Sequence, residues 1–220
     1  MQLSEISQHI TNDIIRIVQQ NTGKFGRYRS VNLEYKDPLI FDLIVNLKIT
    51  DELFANRDLY FKNIPSEVVK FEKYGFAIDG DSFGGDNEDG AEIEISIAVD
   101  PSQINSQKFA AKILDVVRHE VEHIVQRGPN FSPEHKVKIP RPLTREAAKS
   151  NYKYFILSDE IPAQVRGLEA EAQHSGQTVK DCALDYLDPF LELGFITQEQ
   201  IEIVLKTWKA WASQHNIKFE

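Results

Sequence analysis

The sequence predicts an α+β fold: a small antiparallel sheet packed on one apolar helix, followed by a helical C-terminal half. Three observations carry this. Apolar residues alternate one in two in the segments 31–36, 41–49 and 91–99, the period of a strand with one face buried. They recur at three and four residues in 3–20 and in about 105–127, the period of a helix. Beyond the second of those stretches, only helical spacing returns. With 220 residues, the chain suits one domain, or one domain with a helical appendage.

Taken in order, Leu3, Ile6, Ile10, Ile14, Ile17 and Val18 make an amphipathic helix, closed by Gly23 and Gly26. His9 on it reads as a surface side chain. Val31, Leu33 and Tyr35, then Phe41, Leu43, Val45, Leu47 and Ile49, alternate on either side of Asp37-Pro38, which predicts an antiparallel hairpin. A short helix is expected after Pro65 and a strand at Phe76–Ile78. Residues 79–90 mix glycine with aspartate. A calcium loop fails on spacing, because Phe83 stands where a ligand belongs, so a mobile hairpin tip is expected there. Ile93, Ile95, Ile97 and Val99 mark the next strand, stopped by Asp100-Pro101.

The helix of about Asn105–Arg127 carries a broad apolar surface and should end at Gly128-Pro129. A proline-rich loop follows to Pro142. Ser158 is expected to cap a further helix, with Asp159 and Glu160 in its first turn, running to about His174. Two more helices are expected: Val179–Leu193, kinked at Pro189, and a last one capped by Thr197 with Gln200. The latter carries Trp208 and Trp211 as core residues.

Composition narrows the function. Hydrophobic content of 41% and charged content of 27% are ordinary for a soluble domain. A net charge of −9 disfavours nucleic acid and anionic lipid as partners. No apolar run approaches the ~20 residues that span a bilayer. The N-terminus lacks the features of a secretory signal, and the single cysteine, Cys182, reads as a small buried group. A cytoplasmic setting is therefore expected, which for a viral chain means host cytoplasm or virion.

The chemistry resides in His119-Glu120-Val121-Glu122-His123, a His-Glu-x-x-His motif within the apolar helix. Residues four apart on a helix share a face, so His119 and His123 can present both imidazoles to one ion. Two imidazoles suit zinc and leave room for a third protein ligand and a water. Glu120 falls beside the ion, placed to act as general base. A third ligand of the metzincin kind is excluded, because Gln126 and Pro129 occupy the glycine and histidine positions. A glutamate on the next helix makes Glu160 the favoured candidate, with Glu134 and His135 in the loop, and Glu169, Glu171 and His174 further on, as competitors.

The motif, followed by Tyr154-Phe155-Ile156-Leu157-Ser158-Asp159-Glu160-Ile161-Pro162-Ala163, resembles the zincin superfamily in its gluzincin branch. It is similar to uncharacterised phage-type and bacterial metallopeptidase-like proteins over roughly residues 91–175. The resemblance implies one zincin-like domain over 1–220: helix plus sheet to 104, metal-site helices in 105–176, C-terminal helices in 177–220. It further implies a zinc-dependent peptidase, a hydrolase with one Zn2+ held by His119, His123 and Glu160 and with Glu120 as base. The chain departs from the family in its charged Glu122, which is expected to pair with Arg118 or face solvent.

A peptide or protein is the expected substrate, adding as an extra strand along 91–99. Tyr154, Tyr152, His135 and Arg166 are candidates for stabilising the transition state. The competing expectation is a non-catalytic virion or host-interaction protein with a structural or vestigial zinc site. A zinc hydrolase acting on a non-peptide amide is a third.

Overall fold

The computed structural model describes residues 3–21, 29–37, 41–50, 65–84, 90–127 and 151–220. The first of these is helix α1 (Leu3–Asn21), whose Ile6, Ile10, Ile14 and Val18 are all buried. The predicted hairpin forms from β1 (Arg29–Asp37) and β2 (Phe41–Thr50), paired antiparallel with Val31 opposite Leu47 and Leu33 opposite Val45. Helix α2 (Pro65–Tyr74), β3 (Phe76–Gly84) and β4 (Ala91–Val99) follow.

The sheet runs β1-β2-β4-β3 and is mixed rather than antiparallel: β4 pairs parallel with β2 and antiparallel with β3. Each of these strands alternates with the period of two whichever way it runs, so side-chain pattern alone does not report relative direction. A second correction concerns the acidic stretch. Asp79–Gly84 belong to β3, with Gly80 opposite Ile95 and Ser82 opposite Ile93; the rest of the predicted tip, 85–89, lies outside the described residues.

Helix α3 (Gln107–Arg127) carries the His-Glu-x-x-His motif. Asp100 caps a 3-10 turn (Pro101–Gln103) by accepting from Ser102 N at 2.8 Å, and Ser106 Oγ then accepts from Phe109 N at 3.1 Å at the start of α3. Phe109, Ile113, Val117, Val121 and Ile124 of α3 join the α1 stripe and the sheet's inner residues in one apolar cluster. The opposite face of the sheet is covered in part: Val68 and Phe71 of α2 pack on Ala77 and Ala98. That cover explains why β4 is buried on both faces at its C-terminal end, where simple alternation predicts one.

The C-terminal half is helical, as expected. A 3-10 turn (Tyr152–Ile156) leads into α4 (Glu160–Ser175), α5 (Val179–Glu192) and α6 (Gln198–Gln214). Their apolar faces make a second cluster around Phe155, Leu168, Phe190 and Trp208. The Trp208 indole donates to the Phe155 carbonyl at 2.7 Å, tying α6 to the turn before α4. Trp211 is only partly buried and stacks on His215, with ring centroids 3.8 Å apart, so one of the two tryptophans is core and the other is not. The capping box of Thr197 and Gln200 is present. Asp159, not Ser158, stands at the head of α4, and its side chain makes no capping bond. Ser158 is displaced because Ile161 N already bonds the Leu157 carbonyl, at 3.0 Å. Among the described residues no helix is long and apolar enough to cross a membrane.

Candidate metal centre

Helices α3 and α4 pack antiparallel, with His123 near Glu160 at one end and Lys112 near Glu171 at the other. Gly167 of α4 makes this contact close. A Cβ there would stand 2.3 Å from Asp115 Oδ1, 2.8 Å from the Asp115 carbonyl and 3.4 Å from His119 Cβ. The approach brings the first residue of α4, Glu160, over the histidine face of α3.

His119 Nε2 and His123 Nε2 lie 3.0 Å apart, and each is 3.7 Å from a Glu160 oxygen. Tetrahedral zinc with bonds near 2.0–2.1 Å holds its ligand atoms about 3.3 Å apart. The observed spacings bracket that figure, so the three residues form a group that could hold a metal ion. Among the described residues it is the one such group of three. Glu160 Oε2 is buried without a hydrogen-bond partner, which suits a carboxylate meant to face a cation.

The electrostatics agree. Burial pushes the Glu160 carboxyl up, but His123, His119 and the Tyr154 hydroxyl outweigh it and hold the group at about 2. Burial pulls His123 down, yet the Glu160 and Glu120 carboxylates raise it above its ordinary 6.5. Anion and imidazoles are thus mutually stabilised before any metal is considered.

Glu120 is 3% exposed and shares a cleft with His119, Tyr154 and the β3 residues Ile78, Asp79 and Gly80. Gly80 is the close neighbour: a Cβ there would meet Glu120 Cγ at 2.8 Å and Val116 Cγ1 at 2.6 Å. A strand without a side chain at this point leaves the Glu120 carboxylate its space. Reading 79–90 as a loop tip hid this role; the glycine alone, inside an otherwise strand-like run, was the available signal.

The structure separates the remaining candidates. Both Tyr152 and Tyr154 pack on the C-terminal cluster, and Tyr154 is the one of the two that also lines the cleft. Arg166 pairs with Glu169 at 2.9 Å and faces the Trp211 ring. His174 accepts through its backbone carbonyl from Gln107 at 2.7 Å. Arg118 and Glu122 pair at 2.7 Å, as expected from their spacing. Glu134 and His135 lie outside the described residues. Strand β4 sits between β2 and β3, so residues 91–99 are not at an edge; the edge strands are β1 and β3, and β3 is the one that lines the cleft with Glu120.

A wider groove, about 700 Å³, lies between α1, α3 and α4 and includes Arg118, Arg166 and His174. It contains none of His119, His123 and Glu160; Arg166 pairs with Glu169, and Arg118 pairs with Glu122 through Nη2 while its Nη1 is buried without a hydrogen-bond partner.

Sequence reading also missed Gln126. Its Oε1 lies 3.2 Å from His123 Nδ1, and its Nε2 donates to the Asp159 carbonyl at 3.0 Å.

Along α3 from the ligands, Lys112 donates to Asp115 and, at 3.2 Å, to Glu171. Burial raises the Glu171 carboxyl, Lys112 opposes this and Asp115 reinforces it, leaving it at about 7. The folded protein therefore holds this proton more tightly than the unfolded chain does. The stabilisation it confers is full below the ordinary 4.5 and is lost as pH rises to about 7. Glu171→Gln should flatten the decline in stability across that window. Urea midpoints measured from pH 4.5 to 8 check it, and an unchanged slope would refute it.

Comparison with known protein families, with curated proteins and with solved structures finds no match. The assignment of function therefore rests on the geometry.

Proposed function

We propose that the protein is a zinc-dependent peptidase of the gluzincin-like kind, with His119, His123 and Glu160 as ligands and Glu120 as general base. The observation that carries the reading is the convergence of the three ligand atoms within 4.8 Å of one another, with one of the three residues, His119, lining the cleft that Glu120 also lines. A His2Glu donor set of nitrogen and oxygen suits zinc among biological cations. The bound ion would supply Lewis acidity, acidifying a water and polarising a carbonyl.

The protein's own residues do the rest. Glu120, buried beside the ligands, takes the proton of the attacking water and returns it to the leaving nitrogen. Of the two tyrosines that line the cleft, Tyr154 and Tyr186, Tyr154 has its hydroxyl at the Glu160 carboxylate, from which it would turn to donate to the developing oxyanion. An extended peptide would lie along the edge strand β3, its backbone bonding near Asp79-Gly80. The wholly buried Cys182 fits a reducing, cytoplasmic compartment.

Metal analysis of protein purified without a histidine tag tests the first half of the proposal. One zinc per chain is expected, and His123→Ala or Glu160→Ala should each abolish stoichiometric binding. Because His123 must lose its proton to bind, and the Glu160 and Glu120 carboxylates hold that proton more tightly than a free imidazole would, zinc affinity should fall as pH drops, starting from a higher pH than for unperturbed histidine ligands. A peptide-library cleavage assay tests the second half. Zinc-loaded protein that cleaves no peptide bond while hydrolysing another amide would overturn the peptidase assignment.

A further inference from the structure

We infer that Gln126 is a positioning residue that sets the tautomer of His123 and, through the same amide, locks the carboxylate ligand's helix onto α3. The inference rests on the metal reading above and extends it to a residue outside the ligand set.

A backbone carbonyl only accepts hydrogen bonds, so the atom of Gln126 that faces that of Asp159 at 3.0 Å must be the amide nitrogen. The amide orientation is thereby determined, and Oε1 must face His123 Nδ1, at 3.2 Å. An amide oxygen cannot donate, so the imidazole carries its proton on Nδ1 to make that bond. Nε2 is then the ring atom that carries the lone pair, and it is the atom that faces His119 Nε2 at 3.0 Å and Glu160 at 3.7 Å.

One side chain, 8% exposed, thus does two things. It selects the metal-binding form of His123, as a carboxylate or carbonyl partner does behind many zinc-bound histidines. It also holds the residue immediately before Glu160, which couples the imidazole and carboxylate ligands across the helix interface. Position 126 lies three residues beyond His123, within reach on the same helix face.

Two variants separate the functions. Gln126→Leu keeps the approximate volume and removes both bonds. Gln126→Glu retains an acceptor for Nδ1–H but cannot donate to Asp159. Zinc affinity is measured by chelator competition. The His123 tautomer is read in the metal-free protein from long-range nitrogen–proton NMR correlations, at a pH where the ring is neutral.

Gln126→Leu is expected to bind zinc about 10–100-fold more weakly and to lose the Nδ1–H preference. Gln126→Glu is expected to keep that preference and to bind zinc more tightly than the leucine variant. An unchanged tautomer and unchanged affinity in Gln126→Leu would overturn the proposal. So would equal losses in both variants with the tautomer preserved, since the amide would then be only a tether. Wild-type protein that shows the Nδ1–H form but binds no zinc would sink the metal reading while leaving the tautomer assignment standing.

Discussion

Glu120→Gln is expected to retain one zinc per chain and to lower the turnover of a cleaved peptide by about 10²–10⁴-fold, the usual contribution of a positioned general base. The substitution is close to isosteric, which matters because Glu120 is 3% exposed and closely packed against Gly80. A glutamine amide fills the same space but cannot take a proton from water at neutral pH. The three ligand atoms belong to other residues, so metal content should not change. Zinc stoichiometry and kcat on the same preparation make the test. Equal turnover in the two proteins would remove Glu120 from the mechanism, and loss of zinc would show it to be a ligand instead.

Gly167→Ala should be the most damaging glycine-to-alanine change among the described residues, because its contact is with helix backbone as well as side chain. The added Cβ would sit 2.3 Å from Asp115 Oδ1 and 2.8 Å from the Asp115 backbone oxygen. A side-chain oxygen can rotate away; a carbonyl within a helix cannot, so α3 and α4 must separate. Overpacking of this kind costs about 1–3 kcal/mol, against a helix-propensity gain of up to ~1 kcal/mol for replacing glycine. With the full propensity gain taken, the net loss is up to about 2 kcal/mol, a fall in Tm of up to roughly 8 °C for a chain of this size. The consequence for the site is larger than for the fold. His119 and His123 are on one helix and Glu160 on the other, so separation opens the ligand triangle and should weaken zinc binding at least about tenfold, a penalty like that of losing a second partner behind a ligand. Thermal melts and chelator competition read the two effects separately. A variant with wild-type Tm and affinity would show that the interface yields at no cost.

Much of the architecture was legible because it is written in short-range pattern. Alternation in 31–36, 41–49 and 91–99 marked β1, β2 and β4, and three-four spacing marked α1 and α3. Thr197 with Gln200 announced a helix start that the backbone then adopted. The pairing of Arg118 with Glu122 followed from their separation on one helix turn. Less legible was β3, where glycine and aspartate argued for a loop; pairing with β4 overrode that preference, as tertiary context does for weak strand formers.

What the amino-acid order determined by itself is local: which segments are helix or strand, and that His119 and His123 share a face, because four residues on a helix always bring side chains together. What only the tertiary structure decided is every distance between segments. Glu160 was the favoured partner for those imidazoles, with other acids and histidines as competitors, and the close α3–α4 contact at Gly167 brought Glu160 to them while Glu171 met Lys112. The same packing placed Gly80 against Glu120 and set β4 inside the sheet, leaving β1 and β3 as its edges. Helical periodicity is a property of a few consecutive residues, whereas the meeting of α3, α4 and β3 depends on how whole faces fit.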